Sequence, residues 1–290
     1  MKLKLKIKRI IAAAMACLMC LTSLQVYAEE ETETQEHTDE VQDDVTEQRR
    51  VVTNFTMPKN QRATIITPSV DYLNGGQTDE ETVRAELDVL FDSLSEIGLN
   101  AVYINTVCDG KAYYSTDMNN VDVTDYSAIA LEKAYEHNFR AYMVFDMGYA
   151  LANRDEGAEV LDGLISNAHR FALRYRCDGI VIADYYSSKD ADSYAEYMKK
   201  GSGVGYDNYL YDTNELYFKT VSDVIHITDN TLPVGMLVTD MWANSSSNEE
   251  GSATQDPVQA LYDGFSDTKR YISRGYADFC LVMAYGSITS

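Results

Sequence analysis

From Arg62 onward the chain alternates between two textures with different periods. Short β-branched and apolar runs give way to longer runs whose apolar residues recur at three- and four-residue spacing. Ala63 to Thr67 predicts a strand, and Asp79 to Ile97 a helix with Val83, Leu87, Leu90, Phe91, Leu94 and Ile97 on one face. Thr78 and Glu81 stand at capping-box spacing at its start, and Gly98 supplies a C-terminal stop. The same reading predicts strands over Ala101–Thr106, Arg140–Phe145, Gly179–Ala183, Pro233–Val238 and Phe279–Ala284. Helices are predicted over Tyr126–His137, Ala158–Tyr175, Asn214–Thr228 and Pro257–Arg274.

Most of these strands are unbroken apolar runs, as in parallel sheets covered on both faces. Strict β-α repetition leaves two architectures, the closed barrel and the doubly wound sheet. No Gly-rich phosphate loop follows the first strand, as a dinucleotide fold would show. Polar and aromatic residues gather just after several strands, where a barrel keeps its active face. The expected fold class is therefore α/β, a (β/α)8 TIM-type barrel truncated after its sixth strand. Eight strands close such a barrel, and six would leave an exposed sheet edge.

The N-terminal end changes the picture. Lys2, Lys4, Lys6, Lys8 and Arg9 precede an apolar run from Ile10 to Leu21, and Val26-Tyr27-Ala28 offers a cleavage site before Glu29. That order predicts a Sec signal peptide over residues 1–28, an extracellular or cell-surface location, and no further membrane insertion. Residues 29–61 read as an acidic disordered leader and linker, and 62–290 as the barrel domain. Losing the signal peptide removes five cations from a chain whose formal net charge is already −22, so nucleic acid is a poor partner. The three remaining cysteines, Cys108, Cys177 and Cys280, have no framework or metal spacing. Cys177 and Cys280 adjoin apolar strands and are expected as small buried hydrophobes. No metal or cofactor motif is found, and nothing fixes an oligomeric state.

The candidate chemistry follows the strands. Asn105 and Tyr114 come after the second, Asp146 after the third, Asp184 and Tyr185 after the fourth, Asp240, Trp242 and Asn244 after the fifth, and Tyr285 after the sixth. Carboxylates, aromatics and amides together suit a sugar: rings stack on pyranose faces and polar groups bind the hydroxyls. Glycoside hydrolysis needs two carboxyl groups, and Asp184, Asp146 and Asp240 are the candidates. Asn105, Tyr114, Tyr185, Trp242, Asn244 and Tyr285 are the candidate sugar-binding residues. Asp178, preceding its strand, belongs to the opposite, stabilising face.

Several stretches carry a resemblance: "LSEIGLNAVYINT" with "GKAYYST", "LEKAYEHNFRAYMVF", "RYRCDGIVIADYY", "PVGMLVTDMWAN" and "YISRGYADFCLVMAYG". In order and spacing they resemble the glycosyl-hydrolase-like 10 family of bacterial exported proteins, from about Arg62 to Tyr285. The resemblance implies a (β/α)8 barrel acting on a polysaccharide, with cell-wall glycan among the substrates. The chain departs from the family where Ala183 replaces the first of two consecutive aspartates, leaving Asp184. Val107-Cys108, Asp146-Met147 and Val282-Met283 replace the usual Arg-Pro, Asn-Pro and Pro-Gln. Two functions stay open: an extracellular glycoside hydrolase, or a non-catalytic carbohydrate-binding or scaffold barrel on the cell surface.

Overall fold

The computed structural model describes residues 55–73, 79–114, 124–155, 158–186, 189–200, 203–239, 241–254 and 258–283. The expected signal peptide and most of the expected acidic leader lie outside them. Six strands form one sheet: β1 (Ala63–Ile66), β2 (Ala101–Asn105), β5 (Arg140–Asp146), β6 (Gly179–Ala183), β7 (Val234–Thr239) and β8 (Phe279–Met283). A two-residue hairpin, β3 (Val107–Cys108) with β4 (Lys111–Ala112), stands beside it. The six pair in chain order and every pair is parallel. An order that never reverses belongs to a singly wound barrel and excludes the doubly wound sheet, whose strand order turns back at a switch point. The sheet is thus six parallel strands of a (β/α)8 barrel.

The helices between the strands are α1 (Glu80–Glu96), α2 (Tyr126–Glu136), α3 (Met147–Ala152), α4 (Val160–Arg174), α5 (Ala191–Lys200), α6 (Tyr206–Thr228) and α7 (Thr268–Ser273). A π-helical turn, Pro68–Tyr72, follows β1. Alternate strand residues divide between two apolar layers. Val102, Ile104, Ala141, Met143, Phe145, Ile180, Ile182, Val234 and Met236 pack outward against the helices. Ala101, Tyr103, Tyr142, Val144, Val181, Ala183 and Phe279 pack inward. This division is why the strands read as unbroken apolar runs.

The inner layer also receives the segment before β1. Phe55 meets Phe279 with ring centroids 5.4 Å apart. The Gln61 amide donates to the Tyr103 hydroxyl at 3.3 Å and accepts from the Tyr142 hydroxyl at 3.0 Å. The chain is therefore packed against the sheet from Phe55, seven residues before the strand-and-helix pattern begins.

Some expected elements differ. The N-cap of α1 is Asp79, whose carboxylate accepts from the Glu81 N–H; Thr78 of the expected capping box lies outside the described residues. Gly98 does end the helix, at φ +82°. The helix expected over Pro257–Arg274 shrinks to α7. In its first half, Ala260 and Leu261 donate to the Met241 and Trp242 carbonyls of the preceding loop, and Phe265 takes φ +47°, so no helical ladder forms. α6 begins eight residues earlier than its apolar stripe, burying Tyr209 and Leu210. α5 buries no side chain, which explains why no core-facing pattern announced it. Cys280, expected to be buried, is exposed, as is Val282, because β8 presents an uncovered outer face.

On the N-terminal side of the sheet, short polar side chains pin one strand to the next. Asn100 accepts from the Arg62 N–H at 2.8 Å, Asp178 from the Ala141 N–H at 2.9 Å, and Asp278 from the Val234 N–H at 2.8 Å. Asp178 thus sits on the stabilising face, as its place before the strand predicts. Asp278 is almost wholly buried and also contacts His226 Nε2 at 3.1 Å. Asp278→Ala strips a buried N–H of its acceptor and is expected to cost about 1–3 kcal/mol in denaturant unfolding. A midpoint equal to wild type would refute the pinning role.

Candidate functional site

The inward register carries each strand to a top layer at its C-terminal end. Continuing from Tyr103, Val144, Val181 and Leu237, that layer holds Asn105, Asp146, Ala183 and Thr239. Asp146 is the last residue of β5 and the N-cap of α3: its carboxylate accepts from the Tyr149 N–H at 2.7 Å. This explains a helix as short as α3, since Asp at an N-cap satisfies a donor that the first turn leaves open.

Asp184 follows β6 and is, among the described residues, one of four non-glycine residues at positive φ, here +50°. Aspartate tolerates this left-handed conformation because its short polar side chain can bond locally. The turn swings its carboxylate over the first turn of α3. A Cβ added at Gly148 would lie only 1.9 Å from Asp184 Oδ2, so glycine at 148 makes the space that the carboxylate occupies. Asp146 and Asp184 are therefore brought together across the β5–β6 pair.

Both carboxyls titrate above their ordinary value. For Asp146 burial is the main cause, opposed by the Tyr149 hydrogen bond and reinforced by the negative charge of Asp184. For Asp184 the cause is desolvation, although the side chain reaches solvent. In both, burial disfavours the charged form.

The other expected residues divide. Asn105 is on the rim, its amide donating to Thr67 Oγ1 at 2.8 Å. Tyr114 packs edge-on to Phe171 (5.5 Å) and Tyr149 (6.4 Å), and burial pushes its hydroxyl well up. Tyr185 is 1% exposed, wedged among Tyr186, Phe218 and Tyr271 with its hydroxyl on the Leu237 carbonyl at 2.7 Å, so no ring face is left for a sugar. Asn244 is buried and holds its own loop: its backbone N–H donates to Gln259 Oε1 and its side-chain Oδ1 accepts from Thr254 Oγ1. Trp242 is half-buried beyond β7 and borders a groove. Asp240 and Tyr285 lie outside the described residues.

Residues that the sequence did not single out are Gly148 and Thr67. Gly148 sits in "DMGYA", where only the fold reveals what its missing side chain accommodates. Among the described residues no three of His, Cys, Asp or Glu gather as metal ligands would, and no helix is long and apolar enough to cross a membrane.

No family model matches the chain, and no curated protein matches it. Among solved structures it is similar to α-L-fucosidase isoenzyme 2 from Paenibacillus thiaminolyticus, with 14% identity and a TM-score of 0.44, over 61% of this chain and 32% of that one. It is similar to the β-1,4-D-mannanase of Cryptopygus antarcticus, with 13% identity and a TM-score of 0.42, over 79% of this chain and 68% of that one. The β-mannanase of the blue mussel Mytilus edulis gives 14% and 0.44, over 78% and 70%. The chain thus spans about a third of the fucosidase's length. At such identities and scores the likeness decides neither reaction nor sugar, and the barrel assignment rests on the strand order.

Proposed function

We propose that this chain is an exported carbohydrate-active protein that hydrolyses glycosidic bonds of an extracellular polysaccharide, with bacterial cell-wall glycan a candidate substrate. The observation that carries the reading is the Asp146–Asp184 pair. Two carboxyls stand together at the C-terminal rim of the sheet, both titrating high, with glycine at 148 leaving room for one of them. Asp146, raised both by burial and by its neighbour's charge, is the proton donor. As the bond from the anomeric carbon to the leaving oxygen breaks, that oxygen takes the Asp146 proton. A water oxygen then bonds to the anomeric carbon and gives its proton to Asp184. The glycosyl-hydrolase-like 10 resemblance and the signal-peptide pattern of residues 1–28 agree with this reading.

One observation favours a second reading, a barrel that binds glycan without cleaving it. Ala183, paired in register with Asp146, puts a methyl group in the inward rim layer where the resembling family carries a carboxylate. A panel of purified polysaccharides, including denuded peptidoglycan strands, separates the two. New reducing ends with wild type, absent with the Asp146→Asn/Asp184→Asn double variant, support hydrolysis. Retention without release supports the binding barrel and sinks the catalytic one.

A further inference from the structure

The loop after β7 and helix α7 enclose a groove of about 850 Å³ that shares no residue with the carboxylate pair. Its floor includes Trp242, fixed in plane because the indole Nε1–H donates to Asp267 Oδ1 at 3.2 Å. The same carboxylate oxygen caps α7 by accepting from the Arg270 N–H, which ties the ring to the helix frame. The Lys269 ammonium lies 4.2 Å above the ring centroid and pairs with Glu250 at 2.7 Å. Both partners of that ion pair are largely exposed, so it is weak and readily displaced from the ring.

The walls decide what chemistry fits. Glu249, Glu250 and Asp267 outnumber Lys269 and Arg270, and both cations are already engaged, Lys269 with Glu250 and Arg270 with Glu215. An anion would meet an excess of like charge here, on a chain of net charge −22. A neutral ligand with one apolar face and a ring of hydroxyls meets complementary groups: the indole for its face, Glu249 and Glu250 as acceptors, Asn248 and Lys269 as donors.

We infer that this groove is a binding site for a neutral pyranose unit of a glycan, with Trp242 as its stacking platform. The choice of a sugar rests on the glycan reading above; the site itself rests on the groove. Trp242 is the only tryptophan in the chain, so its fluorescence reports on this groove alone. Titration of the full chain with cellohexaose, mannohexaose and N-acetylchitohexaose is expected to give a saturable emission change with at least one of them. Oligogalacturonate, the acidic control, is expected to give none. By calorimetry Trp242→Ala should weaken binding of the responding oligosaccharide about tenfold or more. Lys269→Ala, which uncovers the ring and keeps the fluorophore, should bind at least as well as wild type. Binding indifferent to Trp242→Ala, a response to the acidic oligomer alone, or no response to any neutral one would each overturn the site. Reducing-end release from the same oligosaccharides judges the carboxylate pair separately, so failure of one reading does not carry the other with it.

Discussion

Replacement of Asp184 by asparagine is expected to lower glycan turnover by about 10²–10⁴-fold, the usual contribution of a positioned acid or base, while leaving the fold intact. The substitution is conformationally mild because asparagine is, with aspartate, among the few residues that accept the left-handed backbone found here at φ +50°. Its amide also fits the space over Gly148. Stability should respond to pH in a defined sense. Both Asp146 and Asp184 are raised above 3.8 in the folded chain, so the folded state holds their protons more tightly than the unfolded state does. Their contribution to stability is fully present below about pH 3.8 and is lost as pH rises through the raised folded values. The asparagine variants carry no such titration. Relative to wild type they should therefore gain stability as pH rises through that window and keep the gain at neutral pH. Unfolding midpoints of wild type and Asp184→Asn, compared from pH 3 to 7, check this; a wild-type advantage that grows with pH would contradict the assignment.

The largest loss of stability is expected from Asp125→Ala, far from any candidate chemistry. Asp125 caps α2 by accepting from the Ala128 N–H at 2.8 Å, pairs with Arg174 at the end of α4, and accepts from the Tyr175 hydroxyl at 2.9 Å. Its side chain is 9% exposed, against 25% for Arg174. Alanine would remove the cap and leave a guanidinium and a buried hydroxyl without their acceptor. Deleting one partner of such a pair costs about 3–5 kcal/mol, and the part-exposed arginine places the value near the lower end. Asp125→Asn retains a capping oxygen and should lose clearly less. Guanidinium unfolding of the two variants measures both, and equal losses would show that the ion pair, not the cap, dominates.

How far the sequence reveals this protein depends on which force shapes each part. The six sheet strands were legible because two-sided burial writes an unbroken apolar run, and α1, α2 and α4 because one-sided burial writes a stripe. α5 was invisible since it buries nothing. The segment 258–267 looked helical by composition but gives the backbone donors of Ala260 and Leu261 to the preceding loop, a tertiary choice that no local pattern records. The same holds at the site. Asp184 and Asp146 could be proposed from their place after strands, but their proximity depends on register and on a glycine whose meaning appears only in three dimensions. Tyr185 failed as a sugar platform because a tyrosine two residues past a strand faces either the mouth or the helix layer, and the positive φ of Asp184 sends it to the latter.

The polar pins on the N-terminal side have a mechanical consequence. They join β1 to β2, β5 to β6 and β7 to β8, and among the described residues no side-chain pin of this kind joins β2 to β5 or β6 to β7 on that side. The sheet is thus three stapled pairs with two seams. The β6–β7 seam is also held by the shortest register, from Ile180–Val234 to Ile182–Met236. Asp184 hangs at the top of that seam, whereas Asp146 belongs to the same stapled pair as Asp184. The staple at their base keeps the two strands that carry the carboxylates in one pair, while at the rim the Tyr185 hydroxyl ties β6 to the Leu237 carbonyl of β7 across the seam.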